Sequence, residues 1–195
     1  MRPFLVFLAM AFVGMGVFNG VSTWVEEIVR PRGFTSSDAG TMGALLLLGG
    51  VLGAVALAAL SDRARRRAPF LALAFGVAAP ALFLLALAGT TILLLAAAFV
   101  LGFFLVSAMP IGMQYVAEIT APTPEGTSNG LVQLVGQASV VFVYLMAVTR
   151  APDGSFLPSL VVLAVLLLGA GLVALRLPEP TVHQPEVGKP AVPAG

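Results

Sequence analysis

The side chains that could do chemistry in this sequence are a handful of polar residues set into long apolar runs, and they fall into stripes. Asn129, Gln133, Gln137 and Tyr144 recur at intervals of four, four and seven, which places them in one row along a helix. Asn19, Ser22, Thr23 and Glu26 stand at spacings of three and four and share a second face, and Ser107, Gln114, Tyr115 and Glu118 suggest a third. Most of these groups are neutral, and each amide both donates and accepts hydrogen bonds. Such a lining suits the orientation of a small polar or cationic solute, not bond cleavage. The sequence has no cysteine, and its single histidine, His183, stands in a Pro-rich tail. A thiolate metal site, a disulfide framework and a nucleophile–base pair are therefore not available, so neither an enzyme nor a bound metal or cofactor is expected.

Hydrophobic residues make up 59% of the 195 positions and charged ones 10%, with a mean hydropathy of +1.03. A water-soluble domain carries about 25% charged residues, so most of this surface must face lipid or other membrane helices. A net charge of +1 gives no basic face for nucleic acid. Six segments reach the roughly 20 apolar residues that a spanning helix needs, at about 4–25, 39–60, 70–87, 90–115, 127–148 and 157–175. Turn residues separate them: Arg30-Pro31-Arg32-Gly33, the charged run after Ser61, Ala88-Gly89-Thr90, Ala121-Pro122-Thr123-Pro124 and Ala151-Pro152-Asp153-Gly154. Thr123, Pro124 and Glu125 predict a helix start, with a capping hydroxyl, a proline at the first position and an acid in the first turn. The first span follows Arg2, but its apolar run is too long for a signal peptide and no small-x-small cleavage site follows it.

Six spans return both termini to one side. That side carries Arg2, Arg63, Arg65, Arg66, Arg67, Arg176 and Lys189, against Arg30, Arg32 and Arg150 on the other. The asymmetry predicts cytoplasmic termini in a multi-pass protein of the cell membrane. Residues 178–195 are Pro-rich, lack an apolar face and predict a disordered cytoplasmic tail.

Polar residues are concentrated in the first, fourth and fifth spans, whereas the third and sixth hold almost none. Polar groups in hydrocarbon are costly and sit where they find partners or water. The three polar spans are therefore expected to face an aqueous cavity or a polar bundle interior, with the third and sixth as outer supports. Single hydroxyls are explained as readily by helix-to-helix stitching. Gln133 and Gln137, one turn apart with Asn129 below, favour a water-accessible pathway. The second span presents Gly40, Gly43, Gly49, Gly50 and Gly53 with Ala54 and Ala58, a small-residue face suited to tight or sliding helix packing.

Between the second and third spans stands Ala58-Ala59-Leu60-Ser61-Asp62-Arg63-Ala64-Arg65-Arg66-Arg67. This acid followed by a basic cluster resembles the signature loop of the major facilitator superfamily, with alanines at 58 and 64 where that family usually has glycines. The resemblance implies an all-α membrane protein of six transmembrane helices, one half of the superfamily fold, built from two three-helix inverted repeats. It also implies a cytoplasmic latch, with Asp62 near a helix amino-terminus and Arg63, Arg65 and Arg66 pairing with acids such as Glu118. The stretches 17–23, 109–112, 117–120 and 124–131 are similar to the second half of the feline leukaemia virus subgroup C receptor family, a likeness that extends to about Leu175. That family is linked to haem export and choline transport. Under this alignment Gln137 matches a substrate-contacting glutamine of the eleventh helix. Asn19 stands where choline-transporting members have an aromatic residue, leaving Trp24 and Tyr144 as nearby aromatics.

These features predict the carboxy-terminal half of a secondary transporter that moves a small-molecule substrate by alternating access. Its partners would be the lipid bilayer and either an amino-terminal six-helix half or a second copy as a homodimer. Asn19, Thr23, Gln133, Gln137 and Tyr144 would line the pathway. The acids Glu26 and Glu27 stand near the outer end of the first span and Glu118 near the inner end of the fourth, so no proton carrier lies at mid-membrane. Met1 falls where the first span of a second half would begin, which leaves a truncated, non-transporting fragment as the alternative expectation.

Overall fold

The computed structural model of the protein describes residues 2–180. His183, Lys189 and the expectation of disorder for 181–195 lie outside the described residues. The chain forms α1 (Arg2–Thr23), a short α2 (Val25–Val29), a 3-10 turn over Arg30–Arg32, α3 (Ser36–Ala64) and α4 (Ala68–Leu87). It continues through α5 (Thr91–Thr120), α6 (Glu125–Ala138), α7 (Val141–Val148) and α8 (Leu157–Ala174). With α6 and α7 counted together over Glu125–Val148, six helical stretches are long and apolar enough to cross a membrane.

Local chemistry fixes the ends of these helices. Thr35 and Asp38 form a reciprocal capping box at the start of α3, in which the Thr35 amide donates to Asp38 at 2.9 Å and the Asp38 amide donates to Thr35 Oγ1 at 3.2 Å. Arg65 closes α3 in the left-handed region, with φ of 51°. The hydroxyl of Thr90 accepts from the Leu93 amide and caps α5. The predicted start at Thr123 shifts by one residue: Pro124 takes the cap position of α6, and Thr123 instead closes the end of α5 by donating its amide to the Thr120 carbonyl.

Two spans that read as continuous are broken. The first stops at Trp24 before α2. The fifth is interrupted at Ser139–Val140, where the amides of Ser139, Val140, Phe142 and Val143 each bond three residues back to Gly136, Gln137, Ser139 and Val140. No proline causes this break. The Ser139 hydroxyl donates to the Gly136 carbonyl at 2.5 Å, a back-bond that competes with the regular ladder and tightens the turn.

α3 runs along α5, α4 packs between α5 and α8, and α1 touches α5, α6, α7 and α8. The α3–α5 contact is backbone on backbone. A Cβ at Gly49 or Gly53 would collide with the carbonyl oxygen of Phe99 or Phe103, and one at Gly102 with that of Leu46. In hydrocarbon, where burial gives helices no hydrophobic drive to associate, this close approach supplies the dispersion contact that holds them. The exposed positions within α4 and α8, among them Leu73, Phe83, Val165 and Leu172, are all apolar.

On the side opposite Arg67, the Arg32 guanidinium reaches the last turn of α4. Its Nη1 donates to the carbonyls of Leu85 at 2.7 Å, Ala86 at 3.1 Å and Ala88 at 3.4 Å. A cation there also suits the negative end of the helix dipole.

Gly53→Ala is expected to lower the thermal midpoint of the detergent-solubilised protein by several degrees, because overpacking costs about 1–3 kcal/mol or more where backbone must move. Gly40→Ala, with nothing within 4 Å of its Cβ, serves as the control. Equal midpoints for the two variants would remove the glycine contact as the determinant of α3 packing.

Candidate functional site

The polar residues of the spans separate into an outward-turned face and a charged cluster at the end of the bundle that carries the Arg63–Arg67 loop. On the first of these, Asn19 of α1 is half-buried and donates from Nδ2 to Ser139 Oγ at 3.2 Å. A turn later the Trp24 indole N–H donates to the Val143 carbonyl at 3.0 Å, and its ring stacks on Phe156 with centroids 5.4 Å apart. The end of α1 is thus fastened to both sides of the break in the fifth span. The Trp24 indole bonds a carbonyl of α7 just beyond the break.

Gln133 and Gln137 on α6 are exposed on the surface of the bundle and make no side-chain hydrogen bond among the described residues. Thr23 and Ser22 are exposed at the end of α1, Gln114 on α5, and Tyr144 of α7 is 69% exposed. Of the five predicted pathway residues, Asn19 is therefore engaged with Ser139, and Thr23, Gln133, Gln137 and Tyr144 open outward. The expected single face of the fourth span divides. Gln114 faces out, whereas Ser107 is buried and donates to the Phe104 carbonyl at 2.6 Å, and Tyr115 is buried against Phe7 with ring centroids 5.9 Å apart. Adjacent residues on a helix point about 100° apart, and here that turn carries Gln114 out of the buried arc that takes Tyr115. A cavity of about 140 Å³ between α1, α4 and α5 is lined by Phe7, Phe18, Phe75 and Met109 and touches none of the predicted pathway residues. The polar surface is an open face, not a closed pocket.

At the charged cluster the guanidinium of Arg67 occupies the centre. Its Nη1 pairs with Asp62 and donates to Ser61 Oγ at 3.1 Å, while Nη2 and Nε donate to Glu118 Oε1 at 3.0 and 3.2 Å. The Arg67 side chain is only 11% exposed. This one residue joins the last turn of α3, the start of α4 and the end of α5. The expected pairing of Arg63, Arg65 and Arg66 with acids is corrected here. All three are exposed and form no ion pair among the described residues, since Arg65 is spent on closing α3 and Arg66 offers its carbonyl to the Ser61 hydroxyl at 2.7 Å. Asp62 lies in the last turn of α3 and not at a helix amino-terminus. The carboxylate at a helix start is that of Glu179, which accepts from the Arg67 amide at 2.9 Å as α4 begins.

Four residues of this geometry escaped the sequence analysis as site residues. Arg67 is one of four arginines in five positions, and only the contact with Glu118, 51 residues away, distinguishes it. Glu179 lies in Pro-Glu-Pro, 112 residues from its partner. Ser139 stands out only as a hydroxyl in an apolar stretch, and Arg32 as a charge in a turn.

Comparison with known proteins adds a family. The family model of the Major Facilitator Superfamily matches residues 6–194. An uncharacterised protein of Archaeoglobus fulgidus is 36% identical over 179 residues, covering 91% of this chain and 81% of that one. The choline/ethanolamine transporter flvcr2a of Danio rerio is 24% identical, over 89% of this chain and 38% of its own length. The crystal structure of the nucleoside transporter NupG superposes on 97% of this chain with a TM-score of 0.78 at 16% identity, and the match takes up 48% of NupG. The chain thus has the fold of half a superfamily transporter and spans well under half of the flvcr2a relative.

Arg67→Ala is expected to destabilise the protein by about 3 kcal/mol, because it strands Glu118 and Asp62 without their counter-charge. Arg63→Ala and Arg66→Ala should each stay within about 0.5 kcal/mol. Thermal melting of the purified variants measures this, and equal losses at 63 and 67 would displace Arg67 from the centre of the cluster.

Proposed function

Because this chain belongs to the Major Facilitator Superfamily, we propose that it carries one wall of a solute pathway and works by alternating access against a second six-helix bundle. The observation that carries the reading is the exposure of Gln133 and Gln137 within a spanning segment. An amide turned toward lipid would cost free energy with no return, whereas one turned toward water or a polar neighbour costs none. The outer faces of α4 and α8 are apolar and suited to lipid. The α6 face is then the one that lines the pathway.

The solute is small and polar or cationic. Gln133 and Gln137 offer hydrogen bonds without a fixed charge, and Tyr144 offers an exposed aromatic ring to a cation. Trp24 is less suited to that role, because Phe156 covers its ring and Val143 takes its N–H. Asn19 contributes by holding Ser139 and hence the position of α6. In this reading the termini and the Arg67 cluster lie in the cytoplasm of a cell-membrane protein, and the cluster is the latch that opens and closes that side.

Proton coupling does not reside in Glu26. The hydrogen bond from Arg30 at 2.7 Å, with a second from Ser36, holds its carboxyl below the usual carboxylate range. A depressed carboxyl stays ionised throughout the neutral range and takes up a proton only in acid. Glu26→Gln is therefore expected to leave the pH dependence of uptake between pH 6 and 8 unchanged, as measured in vesicles with an imposed pH gradient; a lost dependence would make Glu26 the carrier.

Cysteines placed one at a time at positions 133 and 137 of this cysteine-free chain test the pathway directly. Both should react with a membrane-impermeant thiol reagent, and a cysteine at the apolar position 165 should not. Protection of 133 and 137 would refute the pathway. In uptake of labelled choline or ethanolamine, Gln137→Ala is expected to lower kcat/KM about tenfold, the equivalent of one hydrogen bond worth ~1.4 kcal/mol.

A further inference from the structure

Resting on the reading that the α6 face lines a pathway, we propose that the second bundle is a second copy of this chain. A two-fold axis along the membrane normal would set α6 of each copy opposite the other. Three observations meet in this assignment.

The first is orientation. The described residues hold six candidate spans. Copies inserted by one topological rule share one orientation. The two halves of a superfamily transporter are related by an axis along the membrane normal, not by inversion. Two identical copies can therefore occupy the two places without turning either upside down. The match to NupG fills 48% of that protein with 97% of this chain, which leaves one equivalent place.

The second is the charge of the face. Gln133 and Gln137 in the middle of the fifth span are exposed and neutral, as are Tyr144 nearer its end, Gln114 on α5, and Ser22 and Thr23 at the end of α1. A two-fold interface brings each patch against itself. Carboxylates or ammonium groups in such a patch would repel their own copies, whereas an amide both donates and accepts and so complements itself. The surface has the chemistry that self-apposition requires. Val140, Val141 and Leu145, exposed beside Gln137 and Tyr144 in sequence, supply apolar contact.

The third is size. The Archaeoglobus fulgidus relative aligns over 179 residues that are 81% of its length, so it has about 220 residues in all. Twelve spans of about 20 residues each would need more than that before any loop is counted. That relative is therefore of single-bundle length. The solute site would then hold two sets of Gln133, Gln137 and Tyr144, one from each copy, and would suit a small solute bound on or near the axis.

The test uses the full chain reconstituted in lipid vesicles. Gln137→Cys treated with a thiol cross-linker of about 10 Å reach should shift from 20.0 kDa to twice that mass. Val165→Cys, on the apolar face of α8, should stay at 20.0 kDa. Native mass spectrometry of the unsubstituted chain, released from lipid, should show the doubled mass independently of any substitution. Monomer alone by mass spectrometry, or cross-linking through 165 and not 137, would overturn the pairing. If position 137 reacts with a soluble thiol reagent while the chain stays monomeric, the pathway reading survives and the second copy does not. If 137 cross-links but is closed to the soluble reagent, the pairing survives and the pathway does not.

Discussion

Hydrocarbon offers a backbone amide no partner, and that constraint shapes every other feature of this chain. It requires each crossing segment to satisfy its own hydrogen bonds as helix. It makes any departure from the ladder conspicuous, because the freed groups must be met locally. At the break in the fifth span the Ser139 hydroxyl meets the Gly136 carbonyl, and the Trp24 indole ties down the start of the helix that follows. At the end of α4 the freed groups are met by a single guanidinium. The same constraint gives meaning to side chains. A glutamine exposed on a spanning helix is a statement about what lies next to it, whereas an exposed leucine there says only that lipid is tolerated.

Within this frame the bundle divides into two kinds of contact. α3 and α5 meet through glycines with backbone against backbone, so their separation is fixed by atoms that cannot rotate away. α1 meets α6 and α7 instead through adaptable side chains: Met15 lies against Gly136, Met146 against Gly20, and Phe142 against Gly16. Methionine fills irregular gaps through three soft torsions and can repack at small cost. The stiff contact therefore lies between α3 and α5, and the yielding one lies beside the polar face.

The fold was legible in the sequence because hydropathy over twenty residues averages out local irregularity. For the same reason the break at Ser139 was not legible, because a single hydroxyl in an apolar stretch carries it, and the break at Trp24 fell among polar residues that read as a wet face and not as a helix end. The α6 stripe could be read as a stripe because 133 and 137 are one turn apart. The α5 residues could not be read as one: Ser107 and Gln114 lie only about 20° apart around the helix but two turns apart along it, where different neighbours bury one and leave the other exposed, and Tyr115 lies a further 100° round. The charged loop announced that a cluster exists but not which arginine holds it. That choice depends on Arg67 being the cap of α4 and on acids 51 and 112 residues away, which no local pattern encodes.

The grip of two arginines on α4 has a geometric consequence. Arg67, at the cap position before its first residue, is itself anchored by Asp62 and Glu118, and Arg32 holds its last carbonyls. The helix between them has 20 residues, a rise of about 30 Å, which is the thickness of a bilayer core. α4 thereby acts as a gauge block: it sets the distance between the two charged ends, and so the membrane thickness in which both can be seated at once. A helix one turn longer or shorter would unseat one arginine while the other stayed in place, so the fit of this protein to its membrane is written in the length of its driest helix.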